Sequence, residues 1–294
     1  MDHRALLRLN LAAFAALPAT AFAHHEVDAS GSNFELWLIV LLAASAIGYG
    51  WGIARLWRKA GVGRGVRVVE VARFTAGWTA LAAALLSPID GFAERSFAVH
   101  MVEHEMLMVL AAPLLVLSRP LEAWAWALPP GTRNALATVF SASRIRHAWR
   151  RLTAPASAWS FHALALWIWH VPALFVAALA NEGLHVLQHS CFFASALVFW
   201  WAAFGRGFRA PDAISIALLF TTMLHTSALG LLLTFAPTPW YAHRAPGLLG
   251  LTALEDQQLG GLVMWVPGSL AYLVAGLVIV AAWLSPSRVA HRHG

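Results

Sequence analysis

Seven stretches of this chain, approximately residues 34 to 56, 68 to 87, 97 to 117, 156 to 178, 184 to 204, 212 to 236 and 258 to 284, are apolar for long enough to cross a bilayer. A spanning helix needs about 20 mostly apolar residues, because in hydrocarbon each backbone N–H and C=O must find its partner within the segment. The feature predicts an all-α, polytopic integral membrane protein with a seven-helix domain over 34 to 284. Composition agrees: 60% of residues are hydrophobic and 12% charged, against about 25% charged in soluble domains.

Residues 1 to 23 carry Arg4 and Arg8, a short apolar run and then Ala21-Phe22-Ala23, the pattern of a cleavable signal peptide. Residues 24 to 33, with His24 and His25, are then an extracytoplasmic N-terminal segment, and 285 to 294 a cytoplasmic tail. With the N-terminus outside, the inner loops and flanks collect Arg55, Arg58, Lys59, Arg64, Arg67, Arg73, Arg119, Arg133, Arg144, Arg146, Arg150, Arg151, Arg206 and Arg209, whereas the outer loops hold Arg95 and Arg244. This asymmetry follows the positive-inside rule, so the net charge of +6 sets topology and leaves no patch for nucleic acid. Residues 120 to 155 are too polar to cross; their tryptophans and arginines predict a segment in the inner interface, among lipid headgroups.

The third apolar stretch opens with His100, Glu103, His104 and Glu105, ionisable groups that are costly in a spanning helix and point to function. On a helix His104 lies about 40° from His100, Glu103 about 60° to the other side and Met108 about 80° round, so the four share one flank. The fifth stretch repeats the arrangement with Glu182, His185 and His189. His170 falls near the outer end of the fourth beside Pro172, His225 near the middle of the sixth, and Asp256, Gly260 and Met264 step by four along the seventh. Six histidines from four helices thus converge on the outer half of the membrane, with His162 alone in the inner half. Neutral imidazole and thioether suit a soft or borderline metal, copper or zinc first. Cys191 is the sole cysteine, which excludes thiolate clusters and an intrachain disulfide. No nucleophile with a base and no phosphate loop is found, so a catalytic role is not expected.

The runs HMVEHEMLMVLAAPLLVLSRP at 100 to 120, WHVPALFVAAL at 169 to 179, NEGLHVLQHSCFFASALVFWW at 181 to 201, and PWYAHR with EDQQLGGLVMWVPGSLAYL over 239 to 273 occur in this order. On these runs the chain resembles the CtaG family of polytopic cytochrome c oxidase assembly factors. The resemblance implies a seven-helix protein of the bacterial inner membrane that helps to build a heme-copper oxidase, with copper supply as the usual proposal. It places the family's histidines on His100, His104, His170, His185 and His189 and its acidic motif on Asp256; Glu105 departs from the family, which more often has an apolar residue there.

The combined expectation is a non-enzymatic copper chaperone that holds Cu(I) in an outer-leaflet His/Met site for an oxidase subunit, supplied by an extracytoplasmic copper donor protein. His100, His104, His185 and His189 are the expected primary ligands, His170, His225, Met108 and Met264 the further ones, and Glu103, Glu182 and Asp256 the carboxylates that orient the imidazoles. A copper permease and a membrane heme protein are the alternatives.

Overall fold

The computed structural model describes residues 31–86, 88–93, 95–204, 213–241 and 250–284. The expected signal peptide, His24 and His25, His243 and the tail from 285 lie outside the described residues. Within them the chain is helical and no strand occurs. The helices are α1 (Gly31–Ala60), α2 (Val68–Leu86), α3 (Pro88–Ala93), α4 (Phe97–Leu117), α5 (Pro120–Ala127), α6 (Pro130–Ser141), α7 (Ser143–Leu152), α8 (Pro155–Trp169), α9 (Pro172–Ala180), α10 (Glu182–Phe204) and α11 (Ala213–Thr234). Last comes α12, a continuous run of Ala253–Val263, Met264–Gly268 and Ser269–Leu284.

Six of these, α1, α2, α4, α10, α11 and α12, are each long and apolar enough to cross a membrane. The fourth expected span differs from the others. It is two helices, α8 and α9, bent by 74° at His170 and Val171. The physical reason is Pro172, which lacks an N–H and disfavours helical backbone in the residue before it. Val171 accordingly adopts φ −62°, ψ 125° and α9 restarts on the proline.

Two spans contain a π-helical turn, Met106–Ala111 in α4 and Met264–Gly268, around Pro267, in α12. Such a turn accommodates one extra residue and rotates all that follows relative to what precedes it.

The segment 120 to 155, expected at the inner interface, divides into one packed and two exposed helices. Its first helix, α5, packs on α1: Ala123 is buried, the Trp124 indole donates to the Ser45 carbonyl at 2.8 Å, and a Cβ at Gly52 would fall 1.7 Å from the Ala123 carbonyl oxygen. Only a glycine permits that approach. In α6 and α7 no residue is buried, as an interfacial location requires.

Three apolar clusters hold the bundle together. One joins α4, α8, α10 and α12 through Met108, Leu166, Phe199, Trp200 and Tyr272; another joins α1, α2, α4 and α5 through Trp57, Phe74, Leu107 and Ala123. The third, with Phe97, Met101, Phe175, Tyr241 and Met264, lies at the end of the bundle where α4 begins, and it carries the histidines.

Candidate metal centre

The start of α4 is built with unusual care. Ser96 caps it with extended backbone and accepts from the Val99 N–H. Asp256, from the start of α12, then accepts from the Ser96 hydroxyl at 2.7 Å and from the N–H groups of Phe97 at 2.6 Å and Ala98 at 3.2 Å. A carboxylate on free N–H groups at the positive end of a helix is stabilising on both counts. Gly260 makes the approach possible, since a Cβ there would lie 2.3 Å from the Phe97 ring. Asp256 therefore positions His100 and His104 by holding their helix, and among the described residues its partners are Ser96, Phe97 and Ala98 in place of the imidazole expected for it.

The neighbouring polar residues act in the same way. Thr252 and Glu255 close a capping box at the start of α12, and the Gln257 amide oxygen accepts from the N–H of Trp240 at 2.5 Å. That turn presents Tyr241, whose hydroxyl donates at 2.8 Å to the His170 carbonyl at the break between α8 and α9. The tyrosine ring stacks on Phe97 and packs on Phe175.

Held in this frame, imidazoles from three separate parts of the chain meet. Ring centroids lie 4.3 Å apart for His100 and His104, 5.3 Å for His100 and His185, 5.6 Å for His100 and His189, 5.0 Å for His104 and His189, and 4.3 Å for His185 and His189. His170 stands at the edge, 6.3 Å from His104. Ligand nitrogens of His100, His185 and His189 all lie within 4.8 Å of one another. Nitrogens around one ion at about 2.0 Å would sit about 3.4 Å apart, so modest side-chain rotations bring them to it. Phe175 packs on His100, and Phe192 packs on His104 and His170, which walls the cluster with apolar rings.

The hydrogen bonds decide which nitrogens face inward. His170 Nδ1 lies 2.7 Å from the Leu166 carbonyl and His189 Nδ1 3.0 Å from the His185 carbonyl. A carbonyl only accepts, so both Nδ1 atoms carry the proton and both Nε2 atoms keep a lone pair in the neutral ring. His189 Nε2 then faces the Glu103 carboxylate at 3.2 Å. Two acceptors this close need a cation between them, a proton or a metal. Around them, both nitrogens of His104, the Nε2 of His170 and of His185, Glu103 Oε2 and both polar atoms of the Gln188 amide are buried without a hydrogen-bond partner among the described residues. Each such group costs about 1–3 kcal/mol unless a ligand satisfies it.

The family model for the cytochrome c oxidase caa3 assembly factor, CtaG, matches residues 47–285, and so takes in every one of these histidines. The chain belongs to this family. Uncharacterised proteins of Mycobacterium bovis and of Mycobacterium tuberculosis are each 27% identical to this CtaG-family chain over 258 residues, 83% of its length and 38% of theirs. The chain thus spans well under half the length of these curated relatives. No solved structure matches it.

The remaining expected site residues of the CtaG-family chain have different surroundings. Met108 is in the apolar core, its carbonyl accepting from the Trp200 indole at 2.7 Å, and Met264 belongs to the cluster of Phe97, Phe175 and Tyr241. His225 lies against Trp159 at 5.5 Å, with no ring contact to the imidazole cluster among the described residues. Glu182 is exposed, and its carboxylate has no imidazole partner among them. Glu105 points at α12, where a Cβ on Gly268 would fall 2.7 Å from its carboxylate oxygen. Gln188, Tyr241, Phe175 and Phe192 were not expected at the site. Gln188 does carry a signal: it is a polar residue three positions after His185 and one before His189 in an otherwise apolar stretch.

Proposed function

We propose that this chain is a copper-handling assembly factor that holds Cu(I) among His100, His185 and His189, with His104 and His170 beside them, and releases it to a subunit of a heme-copper oxidase. The observation that carries the reading is the convergence of the ligand nitrogens of His100, His185 and His189 within 4.8 Å of one another inside an apolar wall, with Glu103 at 3.2 Å from His189 Nε2. Imidazole suits copper and zinc alike. Charge separates them: a monovalent ion beside one buried carboxylate is neutral overall, whereas Zn2+ leaves an uncompensated positive charge in a low-dielectric site. When bound, copper is cargo, and the protein's part is to keep it ligated and away from water.

In this proposal the protein is a multi-pass protein of the bacterial inner membrane. The bent pair α8 and α9 makes the seventh span, and the arginine distribution turns the histidine end outward, where an extracytoplasmic donor can deliver copper. Family membership supports an oxidase subunit as recipient. Heme is the less suitable ligand, because imidazoles and phenyl rings packed at 4.3–5.6 Å leave no slab for a macrocycle. A permease is likewise less well supported: both nitrogens of His162, the deepest histidine, are engaged by Ser195 and Tyr272.

The test is metal content and optical spectrum of the detergent-purified chain, wild type beside His100→Ala and His189→Ala. About one copper per chain after reconstitution with Cu(I), lost in both variants while helicity and elution volume are kept, is the expected result. No copper in the wild type would overturn the reading, and a Soret band would replace copper with heme.

A further inference from the structure

The opposite end of the bundle from the histidines holds a second candidate site. A cavity of about 390 Å³ opens between the end of α1 and the start of α6, lined by Arg55, Arg58, Lys59, Trp126, Pro130 and Arg133. Four of the six lining residues are cations. Two of them flank one indole, the Arg133 guanidinium at 4.3 Å and the Lys59 ammonium at 5.7 Å from the Trp126 ring, while the Arg58 guanidinium lies 5.7 Å from the Trp51 ring and donates to the Ala54 carbonyl. Arg55 is tied to the carbonyls of Ala127 and Leu128 at 3.0 and 3.3 Å, which fixes the floor where α5 ends.

Among the described residues no carboxylate pairs with these cations. On the same side of the bundle Glu70 is taken by Arg67 and lies within 4.0 Å of Arg119, and Glu122 pairs with Arg119. No ion pair is found for Arg55, Arg58, Lys59 or Arg133 among the described residues. Arg67 and Arg119 thus take up the carboxylates on this side, which leaves the four cations of the cavity without one among the described residues. Like charges held together by packing repel unless an anion joins them. Guanidinium groups bind phosphate oxygens in a bidentate fork, and lysine adds a point charge.

We infer that this cavity is a binding site for a phosphate-bearing anion, the headgroup of an anionic phospholipid or a free phosphate. Basic pockets between helices at the inner membrane surface are suited to such headgroups. Two exposed helices beside it support the lipid source. In α7, Ile145, Trp149 and Leu152 form one exposed apolar face with Arg144, Arg146, Arg150 and Arg151 around it, and Trp149 packs on Trp201 of α10 at 5.5 Å. The cavity therefore opens where headgroups lie. The inference is independent of the copper reading.

Native mass spectrometry of the full chain in detergent with added phosphatidylglycerol or phosphatidylcholine tests it, with Arg58→Gln/Lys59→Gln/Arg133→Gln as the cavity variant and Arg144→Gln/Arg150→Gln/Arg151→Gln as a surface control. Arg55 is left in place because it holds α5. Phosphatidylglycerol should be retained by the wild type and the control, and on the order of 100-fold less well by the cavity variant, with copper content unchanged. Displacement of the lipid by millimolar inorganic phosphate, or stabilisation by phosphate without lipid, would assign the site to the free anion; its failure assigns the lipid. Equal retention by the cavity variant, or an equal loss in the control, would overturn the site and leave its cations as solvated charges. Should the triple variant not accumulate, Lys59→Gln alone, on an exposed side chain, is read in the same way with a loss of several-fold.

Discussion

Two groups of histidines share this bundle and are treated differently by it. His162 is buried in α8 with Nδ1 3.1 Å from the Ser195 hydroxyl and Nε2 3.3 Å from the Tyr272 hydroxyl, and its ring stacks on Phe199. Its polar atoms are consumed by the protein. At the other end His104 has two buried nitrogens without a hydrogen-bond partner, and His170 and His185 keep Nε2 in the same condition among the described residues. A histidine in a membrane bundle is thus no sign of a ligand by itself. What distinguishes a site is whether several such lone pairs are left over together: among the described residues His225 also has both nitrogens buried without a partner, but it stands alone against Trp159, whereas the others are gathered at the start of α4.

Variants sharpen this contrast in a definite order. The largest effect is expected for His100→Ala or His189→Ala, which should lower copper affinity by about 100-fold or more, since even residues that support ligands change it by about 10–100-fold. Isothermal competition with a chelator of known affinity would measure it, and unchanged binding would erase the distinction. Next comes His162→Ala, which leaves a cavity and unpartnered hydroxyls and should cost about 2–4 kcal/mol in thermal or denaturant unfolding while copper is kept. Copper loss there would show that the two groups are one site. Asp256→Ala should cost about 1–2 kcal/mol as a lost cap and weaken copper about 10-fold through the loosened start of α4, with Asp256→Asn between it and the wild type. Smallest of all, Met108→Leu and Met264→Leu should change stability by under about 1.5 kcal/mol and leave copper content as it was. A copper deficit in either would return thioether to the ligand set.

Much of the site is legible before any coordinates. Histidines spaced by four stay together on a helix, so His100 with His104 and His185 with His189 needed only regular backbone, and long apolar runs marked the spans. What escapes is set by departures from that regularity. The placement of Met108 beside His100 assumes about 100° per residue throughout, and the π-helical turn from Met106 breaks the count just before it. Pro172 is visible as a weak point, yet a 74° bend is not, because the partner that meets the freed His170 carbonyl, the Tyr241 hydroxyl, comes from 71 residues further along the chain. Asp256 was read as a partner for imidazole on its chemistry. Its actual partners, the N–H groups of Phe97 and Ala98, exist at every helix start and carry no mark in the sequence.

The Asp256 cap also bears on the order in which the molecule is made. Its two halves lie at 96–98 and 256, with most of the spans between them. A chain emerging from the ribosome inserts His100, His104, His185 and His189 well before the residue that secures the first pair. Until α12 enters the bundle, α4 and α10 are held by their apolar contacts, with Trp200 on the Met108 carbonyl, and the first turn of α4 lacks its carboxylate cap. The start of α4 is thus secured only when α12, the latest of the described spans in sequence order, joins the bundle.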